Sequence, residues 1–310
     1  MADARTVFID GEAGTTGLQI RERLAGETAI RVLSIAPDKR KDASARKALM
    51  AEADLVVLCL PDDAAKDAVS LADELGANAP KIVDASTAHR VAPGWVYGFA
   101  ELDQDQANAI RSAKLVANPG CYPTGAIALL NPLVKAGFIP ADFPVTVNAV
   151  SGYSGGGKAM IETYEPAQTA PNFELYALGL EHKHVPELMA YTGLARRPIF
   201  VPSVGNFRQG MLVSIPLHLD LLHGKPDLAD LEAALVSHYA GAKTVQVIEG
   251  AAAKLTRLEP EALNGGDDLE LFVFGTAARN HALLVARLDN LGKGAAGAAV
   301  QNTKLMLGVD

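Results

Sequence analysis

The residues best placed to do chemistry are Asn118-Pro119-Gly120-Cys121-Tyr122-Pro123-Thr124-Gly125, a turn carrying one cysteine between an apolar run and a helix-like run. The strand-like Lys114 to Ala117 leads into it, and Ala126 to Val134 leaves it with apolar residues on helical spacing. Pro123 suits the first turn of a helix, where its missing N–H costs nothing. Cys121 is therefore expected just ahead of a helix N-terminus. The unpaired N–H groups and macrodipole there favour an anion, which lowers a thiol pKa and supplies a thiolate nucleophile near neutral pH. A small buried thiol in a turn is the competing reading.

Two other stretches could serve such a thiolate. Leu180-Glu181-His182-Lys183-His184-Val185-Pro186-Glu187-Leu188 approaches a helix start with Pro186 at the first helical position. If the residues before the helix are extended, His182 and His184 point to the same side. Two imidazoles could then supply a proton donor and a substrate contact. A histidine pair could also bind a metal, but no Cys, third His or well-placed carboxylate completes a ligand set, and none is expected. Ser151-Gly152-Tyr153-Ser154-Gly155-Gly156-Gly157-Lys158 matches most of a Walker A pattern, yet Ala159 stands where Ser or Thr should hold magnesium. Its mid-chain position also speaks against a nucleotide triphosphatase. What remains is a run of backbone N–H groups beside Lys158, a nest for a substrate phosphate or carboxylate, with a surface turn as the alternative.

These stretches need a scaffold, and the first 120 residues describe one. Thr6 to Asp10, Ile30 to Ile35, Leu55 to Leu60, Lys81 to Asp84 and Leu115 to Ala117 read as short buried strands. Helix-compatible segments at Gly14 to Ala25, Lys41 to Glu52, Asp62 to Leu75 and Asp103 to Arg111 alternate with them. That alternation predicts a parallel sheet covered on both faces. The first strand-to-helix turn, Gly11-Glu12-Ala13-Gly14-Thr15-Thr16-Gly17, lets the backbone turn tightly and approach a pyrophosphate at a helix N-terminus. The spacing is G-x-x-G-x-x-G, a weak signal alone; its place after the first strand of an α/β pattern favours a dinucleotide site over a glycine-rich turn with no ligand. The second strand ends Leu33-Ser34-Ile35 without the acid that binds an NAD ribose, and Lys39-Arg40-Lys41 follows. Ser34, Lys39 and Arg40 thus favour a 2′-phosphate and NADP, with Asp38 dissenting.

After Cys121 the pattern changes. Pro144 to Val150, Pro198 to Phe207, Gly210 to Leu219, Thr244 to Ile248, Leu269 to Phe274 and Ala282 to Leu288 read as strands, with one clear helix at Asp227 to Tyr239. The second and third of these read as joined by a tight turn containing Arg208-Gln209-Gly210. Strands joined by short turns beside few helices predict an α+β domain with a largely antiparallel sheet. Asp289 to Val300 is rich in small residues, so its helix should lie close to a backbone or ligand. The expected domains are 1-117 plus 289-310, binding the dinucleotide, and 118-288, holding the substrate chemistry.

Composition is that of an ordinary globular protein, and a net charge of −8 argues against nucleic-acid or anionic-membrane partners. Two cysteines, Cys59 inside an apolar run and Cys121, suggest no disulfide framework. Without a membrane-length apolar run or a signal-peptide core, the expected location is cytoplasmic.

Taken in order, the glycine turn, the N-P-G-C-Y-P-T block, the Ser151 to Lys158 run, His182-Lys183-His184-Val185-Pro186-Glu187 and Asp289 to Gly297 resemble the N-acetyl-γ-glutamyl-phosphate reductase family in its compact second type. The similarity runs almost from end to end. It implies a glyceraldehyde-3-phosphate-dehydrogenase-like architecture, with a Rossmann-type α/β domain beside the α+β catalytic domain. It also implies NADPH-dependent reduction of an acyl phosphate in arginine biosynthesis, in a homo-oligomer. Under this resemblance Cys121 is the nucleophile and His182 and His184 lie near it; Gly157-Lys158 replaces a small residue and Arg, losing a bidentate fork. Arg208 is the candidate for a substrate carboxylate or phosphate, and Gly294 for close approach to the nicotinamide. A sister semialdehyde dehydrogenase acting on aspartate semialdehyde, a reductase of a carrier-bound aminoadipyl phosphate and a non-catalytic NADP-binding regulator are the alternatives.

Overall fold

A computed structural model describes residues 4–165 and 170–310. By its contacts the chain divides into two units, one made of Met1–Ala100, Gln104–Gly120 and Ala295–Asp310, the other of Glu101–Asp103 and Cys121–Gly294. The expected boundaries at 117/118 and 288/289 both lie a few residues further toward the C-terminus, at 120/121 and 294/295, in keeping with where the polar side chains find their partners. Asn118 takes its partners from the first unit, whereas Asp289, Asn290 and Lys293 take theirs from the second.

The first unit holds β1 (Arg5–Asp10), α1 (Thr15–Leu24), β2 (Ile30–Leu33), α2 (Ala43–Glu52), β3 (Leu55–Leu58), α3 (Asp62–Asp73), β4 (Lys81–Asp84), β5 (Val96–Tyr97), α4 (Gln106–Ser112) and β6 (Leu115–Ala117). All six strands are parallel, in the order β2-β1-β3-β4-β6-β5. Alternate residues feed opposite faces: Val7 and Ile9 pack with Ile20, Leu24, Val300 and Met306, while Phe8 packs with Met50, Val56, Ala65 and Ala68. The chain leaves β1 toward β2 on one side and returns to β3 on the other. In open α/β sheets a ligand crevice forms at this switch, outside the carboxyl ends of the strands. β5 was not anticipated; two residues are too few to show a period.

The second unit holds α5 (Cys121–Lys135), β7 (Thr146–Gly152), α6 (Gly157–Tyr164), β8 (Phe173–Leu175), α7 (Val185–Thr192), β9 (Ile199–Gly205), β10 (Met211–His218), α8 (Leu228–His238), β11 (Val245–Val247), α9 (Ala251–Lys254), β12 (Leu269–Thr276) and β13 (His281–Leu288). A π-helical turn, Gly292–Ala296, then leads into α10 (Gly297–Leu307) of the first unit. The seven-stranded sheet runs β11-β12-β13-β10-β7-β9-β8, with parallel pairs only at β11–β12 and β7–β9. It is largely antiparallel, but β9 and β10 are not neighbours. β7 lies between them, and their connection crosses its end at Gly152, where a Cβ would meet the Arg208 carbonyl and Gln209 nitrogen at 2.6 Å. Only glycine permits that crossing.

α5 is buried from Tyr122 through Leu133, so it reads as apolar all round instead of amphipathic. Gly125 brings it onto the sheet, where a Cβ would meet Val213 at 2.9 Å and Ala286 at 3.2 Å. Among the described residues no helix is long and apolar enough to cross a membrane.

Candidate active site

Cys121 opens α5 as its first residue, one step further into the helix than its sequence suggested. The turn before it is fixed by Asn118, 1 % exposed. Its N–H donates to the Asp84 carbonyl (2.8 Å), its amide Nδ2 to the Ala295 carbonyl (3.0 Å), and its Oδ1 accepts from Asn302 Nδ2 (3.0 Å). The buried Arg90 donates Nε to the Asn118 carbonyl at 3.0 Å. Asparagine is used here as both donor and acceptor, so neither Asp nor Leu would substitute. Cys121 is half-buried and in no disulfide. Against it lies the π-helical turn: a Cβ on Gly294 would fall 2.9 Å from the Cys121 Cβ.

The histidines are not on an extended segment. His184 is the helical N-cap of α7, and its backbone N–H donates to His182 Nδ1 at 3.1 Å. This local turn still brings the rings together, 4.7 Å between centroids. Tyr122, the neighbour of Cys121, lies 6.2 Å from the His182 ring and 5.9 Å from that of His184. Tyr122 is itself anchored by donating its hydroxyl to the Ser203 carbonyl. Burial, and then the Lys183 charge, push the His182 pKa down to about 4. His182 is therefore neutral near pH 7, and since Nδ1 accepts, its proton resides on Nε2.

The glycine turn has the expected geometry. Gly11 adopts φ +92° and a Cβ there would strike the Cys59 carbonyl at 2.3 Å; one on Gly17 would strike the Gly11 carbonyl at 2.5 Å. Gly14 caps α1, and Thr15 and Thr16 form its first two positions, so their N–H groups belong to the helix start. Ser34 and Arg40 converge on this turn through residues that the sequence left unremarked, Glu12 and Arg21. Arg21 Nη1 donates to Glu12 Oε2 and to Ser34 Oγ, each at 2.5 Å, and Arg40 Nη2 lies 3.7 Å from Glu12 Oε1. Lys39 stands exposed in the short turn before Arg40.

Residues 12–110 match the family described as "Semialdehyde dehydrogenase, NAD binding domain", and residues 121–290 match "Semialdehyde dehydrogenase, dimerisation domain". N-acetyl-gamma-glutamyl-phosphate reductases from Brucella ovis and Brucella suis biovar 1 are each 56% identical over 307 residues, covering 97% of this chain and 98% of theirs. The chain belongs to the N-acetyl-gamma-glutamyl-phosphate reductase family. Its fold is also that of aspartate semialdehyde dehydrogenase II from Vibrio cholerae, solved with ASA (TM-score 0.73, 16% identity, 99% of both chains). The Candida albicans aspartate semialdehyde dehydrogenase, solved with NADP, aligns with TM-score 0.68 at 14% identity, over 98% of this chain and 99% of that one.

In this member of the reductase family the glycine-rich run differs from the nest expected of it. The Gly152, Tyr153 and Ser154 N–H groups donate to the carbonyls of Gly210 (3.0 Å), Phe207 (3.0 Å) and Arg208 (2.9 Å). Those donors are spent on the loop that crosses β7, so a substrate anion would need others. Lys158 lies in α6 with its side chain 79% exposed, 3.6 Å from Glu162, and Arg208 pairs with Glu165.

What holds this region of the reductase together is a pair the sequence reading passed over, Asp289-Asn290, each 1 % exposed. Asp289 accepts from Gln209 Nε2 (2.9 Å), Gly265 N (2.7 Å) and Leu291 N (2.9 Å). Asn290 accepts from Gly210 N (2.8 Å) and donates to Ser154 Oγ (3.0 Å). Beyond them Lys293, also buried, gives its ammonium to both Glu101 oxygens (2.8 Å) and Thr244 Oγ1 (2.7 Å). These bonds fix the π-helical turn that carries Gly294. Polar residues set among glycines were the available sequence signal.

Proposed function

We propose that the chain reduces N-acetyl-γ-glutamyl phosphate to N-acetylglutamate semialdehyde and phosphate, with NADPH as reductant and Cys121 as nucleophile. The observation that carries this reading is Cys121 at the start of α5, with Gly294 against its Cβ and the paired imidazoles around its neighbour Tyr122. The positive-φ Gly11 and the crowded Gly17 form a cradle that side chains would fill, and Ser34, Arg21 and Arg40 add donors for a phosphate. These residues fit NADP: Gly11, Gly14, Thr15, Thr16 and Gly17 would hold its pyrophosphate and Ser34, Lys39 and Arg40 its 2′-phosphate side. Gly294 is proposed to leave room for the nicotinamide.

An acyl phosphate resists direct hydride attack, and a covalent relay divides the task. The Cys121 thiolate adds to the acyl carbon, a C–S bond forms, the C–O bond to phosphate breaks, and phosphate leaves with the electron pair. NADPH supplies the hydride that reduces the resulting thioester carbonyl. N–H groups in the first turn of α5 stabilise the oxyanion on the chain's own thiohemiacetal. His182, neutral and carrying its proton on Nε2, donates a hydrogen bond to that oxyanion, and His184 holds it in this tautomer through its backbone. Cleavage of C–S then releases the aldehyde and returns the thiolate. Lys158 and Arg208 are the proposed contacts for the substrate's carboxylate or phosphate, each exchanging its present partner, Glu162 or Glu165.

The enzyme is proposed to act in the cytoplasm, in keeping with two cysteines outside disulfides, and as a homo-oligomer. Phe173, Leu175 and Leu283 stand 57%, 49% and 38% exposed on the sheet of the second unit, beside a hollow of about 770 Å³. A second copy of the chain is the occupant proposed for this face, since residues 121–290 match a dimerisation family.

Following NADP reduction with N-acetylglutamate semialdehyde and phosphate, with aspartate semialdehyde in parallel, tests the substrate. The N-acetylated aldehyde should be the faster; preference for aspartate semialdehyde would overturn the reading.

A further inference from the structure

The end of β2 and the start of α1 contain more than a Ser–Lys–Arg reading of the cofactor site supplies. Glu12 belongs to the turn that would receive a pyrophosphate, and its side chain is only 8% exposed. A carboxylate there repels phosphate and is costly to bury unless paired. Its placement is therefore intelligible only through what it holds. That is Arg21, in α1 one turn beyond Gly17, whose Nη1 bridges Glu12 Oε2 and Ser34 Oγ at 2.5 Å each. Ser34 in turn lies 3.4 Å from the same Glu12 oxygen.

The contrast in exposure gives the arrangement its direction. Glu12 is buried, whereas the Arg21 side chain is 46% exposed. One edge of a planar five-donor fork is thus tied down on a fixed carboxylate beside Ser34, the position that follows β2. In NAD sites an acid near this point accepts the ribose 2′-hydroxyl. Here the same region presents a hydroxyl and a guanidinium, the pair that a phosphate needs. Arg40 is held more loosely by the second Glu12 oxygen, and Lys39 is a point charge on an exposed turn.

We infer that Arg21, positioned by Glu12 against Ser34, is the residue that discriminates NADPH from NADH. Glu12 is a positioning residue. The inference rests on the NADP reading above. Because the whole cluster is built within the first unit, it concerns cofactor binding without any reaction.

The test is a fluorescence titration of NADPH and of NADH into the full chain, without substrate, for the native protein and the variants Arg21→Ala and Glu12→Gln. A charge-assisted contact of this kind sets the NADPH Kd of Arg21→Ala about tenfold or more above native, with the NADH Kd within about twofold. The unchanged NADH affinity also shows that the variant has folded. Glu12→Gln should raise the NADPH Kd about threefold or more and leave NADH alone. If the native protein binds both cofactors equally, the NADP reading and this inference fall together. If it prefers NADPH and Arg21→Ala keeps that preference, or weakens both cofactors alike, only the role of Arg21 is overturned.

Discussion

Cys59 and Cys121 are the chain's two thiols, both partly covered and neither in a disulfide, yet their surroundings are opposite in character. Cys59 follows β3. Its N–H donates to the Asp10 carbonyl at 2.8 Å and its own carbonyl crowds Gly11. Burial, then the carboxylates of Asp84 and Asp10, push its thiol up to about 12. Cys121 opens a fifteen-residue helix, with imidazoles around the next residue and a glycine against its Cβ. The backbone setting thus separates a thiol that stays protonated from one placed where a helix favours negative charge. In Cys59 the cysteine is packing; in Cys121 it is the proposed nucleophile.

The largest effect should come from exchanging the proposed nucleophile. Cys121→Ser is expected to lower kcat by about a thousandfold or more while leaving the NADPH Kd unchanged. Cys59→Ser in parallel should leave kcat within about twofold, and a reversal of the two would end the comparison. Next comes Gly294→Ala, whose added Cβ would lie 2.9 Å from that of Cys121. Misplacing a nucleophile by a fraction of an ångström should cost kcat about tenfold to a hundredfold with little change in KM. Gly26→Ala, where an added Cβ meets nothing within 4 Å, is the control.

The histidine pair sharpens the comparison through pH. The folded His182 pKa of about 4 lies below its ordinary 6.5, so the unfolded chain binds the proton more readily in between. Stability from this group is fully present above about pH 6.5 and is lost as pH falls toward 4. Thermal melts across that window should show the loss, and His182→Asn should flatten it. For the same reason the kcat profile should carry no inflection from His182 near pH 6.5. The smallest effect concerns labelling: at pH 8 a thiol of pKa about 12 is ionised on the order of one part in ten thousand, so iodoacetamide should modify Cys121 and spare Cys59.

Much of this scaffold was legible in the sequence because periodicity and glycine carry it. Parallel strands β1 to β4, the Gly11 to Gly17 turn and the thiol at a helix start all follow from patterns a few residues long. Longer-range pairing did not. Nothing local to Pro198–Leu219 announces that β7 inserts between β9 and β10, and the missing Cβ of Gly152 that makes room for the crossing lies some fifty residues away. That crossing also takes up the N–H groups of Gly152, Tyr153 and Ser154. Glu12 and Arg21 escaped notice because an acid in a phosphate turn argues against itself until its partner is seen. Asp289 and Asn290 escaped because their partners, Gln209, Gly210, Gly265 and Ser154, come from three separate loops.

The central claim is that the acyl group is held on Cys121, and withholding phosphate tests it most directly. Mixed with NADP and N-acetylglutamate semialdehyde but no phosphate, the protein should form about one equivalent of NADPH per active site and then stall. Peptide mass spectrometry should find the N-acetylglutamyl group on the peptide containing Cys121, discharged when phosphate is added. NADPH formation with no adduct on Cys121, or an adduct on Cys59, would contradict the account.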